Sequence, residues 1–178
     1  MDNHILLPHS AELEAKSMEL GFTKTYFLGK DLATSTAASP KELLNDCQKA
    51  HAAKRKLVYL PANPDLLRFA IEKAPVDIIL GIEQLYPHDS LHYPKAGLDQ
   101  VLGPLAKQKN KTIGFSFSQL LHAQNRSKQM LRIAFNAKVC KKYGLTTAWS
   151  TFATHPEDLR SAKDLQAFWQ FLTTQILK

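Results

Sequence analysis

Cysteine is scarce in this chain, and its apolar runs are short. The 178 residues include two cysteines, Cys47 and Cys140, and neither belongs to a Cys-x-x-Cys pair or a Cys/His cluster. We therefore expect two buried thiols in a reducing compartment, and neither a disulfide nor a zinc site. No apolar stretch approaches the roughly 20 residues of a membrane-spanning helix, and residues 1–7 lack the basic start of a signal peptide. These absences predict a cytoplasmic protein, or a nuclear one if the source is eukaryotic, without a membrane partner.

Compact catalytic motifs are missing as well. The sequence contains no Gly-x-Ser-x-Gly, no His-Glu-x-x-His and no glycine-rich loop after its first β-rich run, where Pro8-His9-Ser10 stands instead. The expected strand ends offer one carboxylate and a few scattered polar residues, namely Glu83, His9, Asn63, Ser116, Ser118 and residues 151–155 with His155. His88 and His92 are four apart, but in an irregular segment rather than on a helix. Because a metal centre needs clustered ligands, we expect neither a metal site nor a catalytic residue in the protein itself.

Acidic residues are outnumbered by basic ones. The 23 lysines and arginines against 16 aspartates and glutamates give a formal net charge of +7. A balance this basic favours polyanionic partners, which means nucleic acid or an anionic membrane surface. A merely solubilising charge is the alternative, and composition alone leaves both open.

Short β-rich runs alternate with longer segments of helical period through the whole chain. The runs span residues 4–7, 24–28, 56–60, 76–80, 112–117 and 146–151, and a weaker seventh strand is predicted near residues 91–93. Helix starts are marked by Ser10, Ser39-Pro40, Asn63-Pro64 and Ser161, and helix ends by Gly21 and Gly144. This alternation predicts a parallel α/β sheet, either open and doubly wound or closed into a barrel, in one domain over residues 1–178.

Three basic clusters each lie just before a predicted strand. They are Lys54-Arg55-Lys56, Lys107/Lys109/Lys111 and Lys141-Lys142. Parallel strands begin at one edge of a sheet, so we expect the clusters on a common, amino-terminal side, where they would follow RNA phosphates. The alternative is that lysines favour helix C-termini through the helix dipole.

The predicted helix over residues 127–143 is apolar on two sides. Its first stripe comprises Met130, Ile133, Ala134, Ala137 and Cys140, and its second comprises Leu131, Phe135 and Val139. The second stripe is surrounded by Lys128, Arg132, Lys138 and Lys142. We expect neighbouring helices to cover this stripe, and the alternative is a partner surface with a basic rim that faces phosphates.

Several segments together resemble one protein family. A strand leads into Ser116-Phe117-Ser118-Gln119-Leu120-Leu121, Arg126 precedes the long helix, and that helix ends in Lys142-Tyr143-Gly144. The strand Trp149-Ser150-Thr151-Phe152-Ala153 stands where the family has Ser-Ser-x-Ala, with Thr151 in place of the second serine. Residues 159–165 resemble its closing motif without the usual proline, and residues 76–79 and 97–106 fit its middle segment. The set is similar to the ribonuclease P protein component 3 family, whose eukaryotic members are the thirty-kilodalton subunit.

The resemblance implies an α/β, TIM-barrel-like fold, an irregular barrel of about seven strands related to the polymerase-and-histidinol-phosphatase barrels but without their metal chemistry. It also implies a non-catalytic subunit, archaeal by its short length, that assists a catalytic RNA in the five-prime maturation of precursor tRNA. The implied partners are ribonuclease P RNA, precursor tRNA, protein component 2 and the other protein subunits. Because the Mg²⁺ of the reaction belongs to the RNA, no cofactor is expected on the protein.

The candidates for RNA or partner binding are the basic residues Lys54, Arg55, Lys56, Arg126, Lys128, Arg132, Lys142 and Arg160. Arg126 and Arg160 lie next to helix starts, where a guanidinium fork suits either an RNA phosphate or an internal brace. The alternative function is a metal-dependent phosphoesterase of the polymerase-and-histidinol-phosphatase type on the same fold, which would need a ligand cluster at the strand ends.

Overall fold

Seven parallel strands make one sheet in which the spatial order follows the chain order. The computed structural model describes residues 1–174, and residues 175–178 of the predicted domain lie outside the described residues. The strands are β1 (Asp2–Pro8), β2 (Lys24–Leu28), β3 (Leu32–Ser35), β4 (Lys56–Tyr59), β5 (Ile78–Leu80), β6 (Thr112–Ser116) and β7 (Thr146–Ser150). The helices are α1 (Ala11–Glu19), α2 (Pro40–Ala52), α3 (Pro64–Glu72), α4 (Leu102–Gln108), α5 (Phe117–Leu121), α6 (Arg126–Tyr143) and α7 (Ala162–Thr174).

The sheet curls until its first strand meets the segment that follows its last. Ile5 forms a parallel bridge with Ala153, and the Leu6 amide donates a 2.9 Å hydrogen bond to the Ala153 carbonyl. The predicted α/β, TIM-barrel-like fold with about seven strands is therefore confirmed. No helix within residues 1–174 combines the length and the apolar character needed to cross a membrane.

A buried polar network fastens this seam. The Asn3 side-chain carbonyl accepts hydrogen bonds from the hydroxyls of Ser150 (2.8 Å) and Thr151 (2.6 Å), and the His4 amide donates to the Ser150 hydroxyl at 2.6 Å. All four residues are buried, so each polar group must find a partner inside the protein. The Ser150-Thr151 pair singled out in the sequence therefore serves the joining of β1 to β7.

The strands bury both faces, as their nearly continuous apolar character predicts. The barrel interior holds Leu32, Val58, Ile78, Leu80 and Phe152, and a larger cluster lies between the sheet and the surrounding helices. The His4 ring stacks between Tyr26 and Phe152, with centroids 5.1 Å from each. Burial, assisted by the charge of Lys56, lowers the pKa of His4 to about 4, so this ring is neutral.

The seventh strand is not the one that the sequence predicts. Residues 91–93 form bends, and the additional strand is β3, which follows β2 after a short turn without an intervening helix. Gly29 adopts φ 80° in this turn, a backbone conformation that favours glycine, and the Asp31 carboxylate accepts a 3.0 Å hydrogen bond from the Phe27 amide. The prediction near residues 91–93 is therefore wrong.

The predicted helix punctuation is confirmed. The side chains of Ser10, Ser39, Asn63 and Ser161 each accept a hydrogen bond from a backbone amide three residues later. The long helix α6 ends where Gly144 takes the left-handed conformation, with φ 65°. Both thiols, Cys47 and Cys140, are free and buried, and burial raises the pKa of Cys140 to about 12.

Candidate functional site

The starts of the strands form a basic rim at the amino-terminal end of the barrel. Lys24 begins β2 and Lys56 begins β4, and the ammonium nitrogen of each lies 4.7 Å from the centre of the Tyr26 ring. A recess of about 480 Å³ opens beside them, lined also by the strand-start residues Thr112 and Thr146. This rim combines cations, an aromatic ring and hydroxyl groups.

The cluster Lys54-Arg55-Lys56 stands on this rim because of how α2 ends. Lys54 adopts the left-handed conformation with φ 56°, and the Arg55 amide donates to the Ala50 carbonyl at 2.9 Å. The chain thus turns sharply from helix into strand. Lys54 and Lys56 are exposed and Arg55 is half-buried, so all three side chains reach the surface.

Other lysines near this rim are used by the fold itself. Lys111 is buried and donates to the carbonyls of Ala74 (2.6 Å) and Val76 (3.3 Å), and burial lowers its pKa. Lys107 donates to the Gly144 carbonyl at 2.6 Å. The inclusion of Lys111 in an exposed basic cluster is therefore wrong, because its ammonium group satisfies backbone carbonyls.

Lys142 is exposed, with its ammonium nitrogen 5.1 Å from the centre of the Tyr143 ring.

Two polar residues one turn apart on α6 hold the irregular segment of residues 81–98. Arg132 donates to the backbone carbonyls of Glu83 (2.8 Å) and Tyr86 (2.7 Å) and to the Asp89 carboxylate (2.7 and 2.9 Å). Asn136 bonds the Ala96 carbonyl and the Leu98 amide. Arg132 is 4% exposed, so the prediction that it belongs to an open basic rim is wrong.

The remaining basic candidates each make one or more internal bonds and keep part of the side chain at the surface. Arg126 donates to the Leu121 carbonyl (3.0 Å), and Lys128 donates to the Pro87 carbonyl (2.8 Å). Arg160 donates to the carbonyls of Glu157 (2.7 Å) and Leu159 (2.8 Å), and its guanidinium lies 5.7 Å from the Phe117 ring centre. Their internal bonds fit the bracing alternative, and their exposure leaves RNA or partner contact as a prediction.

The two apolar stripes of α6 differ in burial. Ile133, Ala134, Ala137 and Cys140 of the first stripe are buried, which confirms that it faces the core. In the second, Phe135 and Val139 are half-buried and line a groove of about 710 Å³ together with Tyr93 and Leu98, while Leu131 is 40% exposed. Residues 93–101 border this stripe, and α4 packs against its Val139 end through Gly103, so the neighbouring helix that we expected covers part of it.

The carboxyl end of the barrel holds a buried acid that the sequence singled out. Glu83 is 1% exposed, and burial raises its pKa to about 7 even though Gln129 and Arg132 lie nearby. Its Oε2 atom has no hydrogen-bond partner among the described residues, and neither does Oε1 of Gln119. Both residues line a recess of about 500 Å³ that also contains His122 and Lys128.

A second polar group lies beside that recess, where β6 and β7 end. Asp158 is fully buried and accepts hydrogen bonds from the Ser118 hydroxyl (2.6 Å) and from His122 Nε2 (2.7 Å). His155 Nδ1 lies 3.7 Å from the same carboxylate. Burial alone would raise the pKa of Asp158, but the bonds from Ser118 and His122 outweigh it and hold the pKa below its ordinary value.

This group is not a serine hydrolase triad. The Ser118 hydroxyl donates to the aspartate and not to a histidine, so the histidine base of a triad is not in place. His122, His155 and Asp158 instead offer three ligand atoms within 4.8 Å of one another, the kind of set that holds a metal ion.

Sequence reasoning considered His155 and Ser118 but missed their partners. His122 was missed because it ends the short helix α5, four residues after Ser118, and Asp158 because it follows in a helical turn after β7. The signal was the run Thr154-His155-Pro156-Glu157-Asp158, polar residues directly after a strand. His9 is not part of the group, because it pairs with Glu14 at 2.7 Å.

Solved structures with a similar fold include the following two. A chain in a cryo-EM structure of archaeal ribonuclease P with mature tRNA superposes with a TM-score of 0.68 and 21% identity, over 96% of this chain and 72% of that chain. A crystal structure of an uncharacterized protein gives a TM-score of 0.51 and 11% identity, over 93% and 43% of the two chains. No protein-family model and no curated protein matches the sequence. At these identities the likeness is one of fold.

Proposed function

We propose that this chain is a protein subunit of ribonuclease P, of the component 3 type, that assists a catalytic RNA in the five-prime maturation of precursor tRNA. The observation that carries the proposal is the fold shared over 96% of the chain with a chain of archaeal ribonuclease P. The sequence motifs that resemble component 3 run through the same barrel and support it independently. We propose a cytoplasmic location, or a nuclear one if the source is eukaryotic.

The amino-terminal rim is the part of the molecule best suited to RNA. Lys54 and Lys56 can neutralise phosphates, and Tyr26 presents a ring beside Lys24 and Lys56 in an open recess. Phosphate contacts of this kind position a protein on RNA without reading its sequence. This fits a subunit that holds a folded RNA in place.

The proposal assigns the chemistry of cleavage, and its Mg²⁺, to the RNA. The protein's other proposed partners are precursor tRNA, protein component 2 and the remaining protein subunits. Arg126, Lys128, Lys142 and Arg160 reach the surface away from the recess and remain candidates for contacts with RNA or with these subunits.

The test is binding of the full chain to ribonuclease P RNA over a range of salt concentrations. Each lost phosphate contact lowers the slope of log affinity against log salt by about one, so Lys54→Ala/Lys56→Ala should lower it by about two. The matched control is Lys41→Ala/Lys163→Ala, which removes the same charge from exposed positions at the helix starts, opposite the rim. Equal slopes for the two double variants would remove the rim from the RNA interface.

One observation favours the alternative function, a metal-dependent phosphoesterase. His122, His155 and Asp158 form a possible ligand group at the carboxyl ends of the strands, where enzymes on this fold place their sites. Within residues 1–174 it is the one such group, so a second metal ion has no comparable set of ligands. The discriminating assay is hydrolysis of a phosphodiester by the isolated chain with Mn²⁺ or Zn²⁺, for which we expect no turnover.

A further inference from the structure

The group at the ends of β6 and β7 contains two imidazoles and a carboxylate from adjacent connections of the barrel. His122 closes α5 after β6, whereas His155 precedes the helical turn Pro156–Asp158 after β7 and Asp158 ends that turn. Their ligand atoms lie within 4.8 Å of one another. In the sequence, however, His122 and Asp158 are 36 residues apart. The fold therefore creates this proximity, and local sequence does not.

The distances suit a small ion. Ligands of a tetrahedral ion with bonds of about 2.0 Å stand about 3.3 Å apart. His122 Nε2 lies 2.7 Å from Oδ1 of Asp158 and His155 Nδ1 lies 3.7 Å from Oδ2, so the nitrogen-to-oxygen separations lie on either side of that value. The His122 and His155 rings are 5.8 Å apart between centres and both are more than half exposed, so small ring rotations can adjust them.

The carboxylate is already oriented. The Ser118 hydroxyl donates a 2.6 Å hydrogen bond to Oδ2 of the fully buried Asp158, and an outer hydrogen bond of this kind aligns a metal ligand. Both imidazoles are more than half exposed to solvent. Three protein ligands with an open side leave a fourth position for water or for an oxygen of a bound molecule.

We propose that His122, His155 and Asp158 bind one divalent transition-metal ion, with zinc as the best match to two nitrogen ligands and one oxygen ligand. The ion takes the place of the proton between His122 and Asp158 and ties the two carboxyl-end connections together. This replaces our sequence-based expectation that the protein holds no metal of its own. It is separate from the Mg²⁺ assigned to the RNA, and it does not depend on the ribonuclease P proposal.

The test uses the untagged full chain and two metal probes without RNA. Zn²⁺ binding is measured by calorimetry, and Co²⁺ binding by the visible absorption of the bound ion. We expect one ion per chain and at least a ten-fold loss of affinity in both His122→Ala and His155→Ala. The matched control is His92→Ala, an exposed histidine outside the group, which should bind as the original chain does.

Folding is controlled in the same experiment. The His155 side chain is 60% exposed and makes few bonds, so His155→Ala should keep the circular dichroism spectrum and melting temperature of the metal-free protein. Zn²⁺ should raise the melting temperature of the original chain and of His92→Ala, but not of His155→Ala. An absence of bound ion, or binding that survives His155→Ala unchanged, would overturn the proposal.

Discussion

At the scale of single residues, Arg132 has the largest structural role among the basic candidates. Its guanidinium satisfies two carbonyls and a carboxylate of residues 83–89 while it is itself 4% exposed. Arg132→Ala removes the guanidinium and leaves all of these acceptors without their donor at once. We therefore expect a loss of about 3 kcal/mol in the free energy of unfolding, measured by urea denaturation.

The control for Arg132 is Arg126→Ala on the same helix. Arg126 is exposed and makes one bond, to the Leu121 carbonyl, so its removal should cost no more than about 1 kcal/mol. If both variants lost the same stability, Arg132 would not brace the segment as described.

Glu83 gives the protein a distinctive dependence of stability on pH. Burial raises its pKa from 4.5 to about 7, so the folded protein keeps a proton that the unfolded chain releases. The stabilisation of the folded state by this proton is therefore fully present below pH 4.5 and is lost as pH rises to about 7. At 1.36 kcal/mol per pKa unit, the loss amounts to about 3 kcal/mol.

Glu83→Gln removes this titration while it keeps the shape of the side chain. We expect the free energy of unfolding of the original chain to fall, relative to that of the variant, between pH 5 and pH 8. Arg132 is the charged group that faces Glu83 and is present in both proteins, so it cancels in the difference. A difference that stays constant with pH would show that Glu83 is ionised throughout.

The metal-binding group shows the limit of sequence reasoning at this scale. Glu83, Ser118 and His155 were recognised because each follows a predicted strand. Asp158 and His122 were not, because a pattern cannot show that two helical turns 36 residues apart pack side by side. The same limit applies to Arg132. Its position beside the second apolar stripe of α6 indicates an exposed side chain, and only the structure shows that residues 83–89 cover it.

At the scale of elements, α4 and α6 cross at a glycine. A Cβ atom on Gly103 would lie 2.5 Å from Tyr143 Cδ2 and 3.2 Å from Val139 Cγ1. We therefore expect Gly103→Ala to lower the free energy of unfolding by about 1–2 kcal/mol through overpacking, although alanine is the better helix former. Thermal denaturation followed by circular dichroism measures the change.

The matched control for Gly103 is Gln108→Ala at the exposed end of α4. This variant should change stability by no more than about 0.5 kcal/mol, because the Gln108 side chain is exposed. If Gly103→Ala instead stabilised the protein, as alanine for glycine does in an exposed helix, the close crossing of α4 and α6 would be wrong.

Most elements could be predicted from the sequence because their signals are local. Capping side chains, Gly144 and the apolar runs all act within a few residues, and each proved correct. The strand β3 was missed because it follows β2 without a crossover helix and carries few large apolar residues, Leu32 being the largest. Residues 91–93 contain leucine and tyrosine, yet they pair with no strand and Leu91 is 92% exposed. Hydrogen bonds from Arg132 and Asn136 on α6 hold the residues on either side of them, Asp89 and Ala96.

At the scale of the whole molecule, the barrel separates two kinds of surface. The amino-terminal rim presents Lys24, Lys54 and Lys56 around Tyr26, and the carboxyl end exposes the imidazoles of His122 and His155 above the buried carboxylate of Asp158. In our account the first surface holds RNA, and the second binds a metal ion without cleaving a phosphodiester.

The most direct test of this account is reconstituted cleavage of precursor tRNA. Ribonuclease P RNA is assayed with component 2 alone and then with this chain added, at a Mg²⁺ concentration at which the RNA alone is slow. We predict that the chain raises the cleavage rate. Lys54→Ala/Lys56→Ala should weaken this effect more than Lys41→Ala/Lys163→Ala does. The chain without RNA should cleave nothing. Cleavage unaffected by the chain, or metal-dependent cleavage by the chain alone that His155→Ala abolishes, would contradict the account.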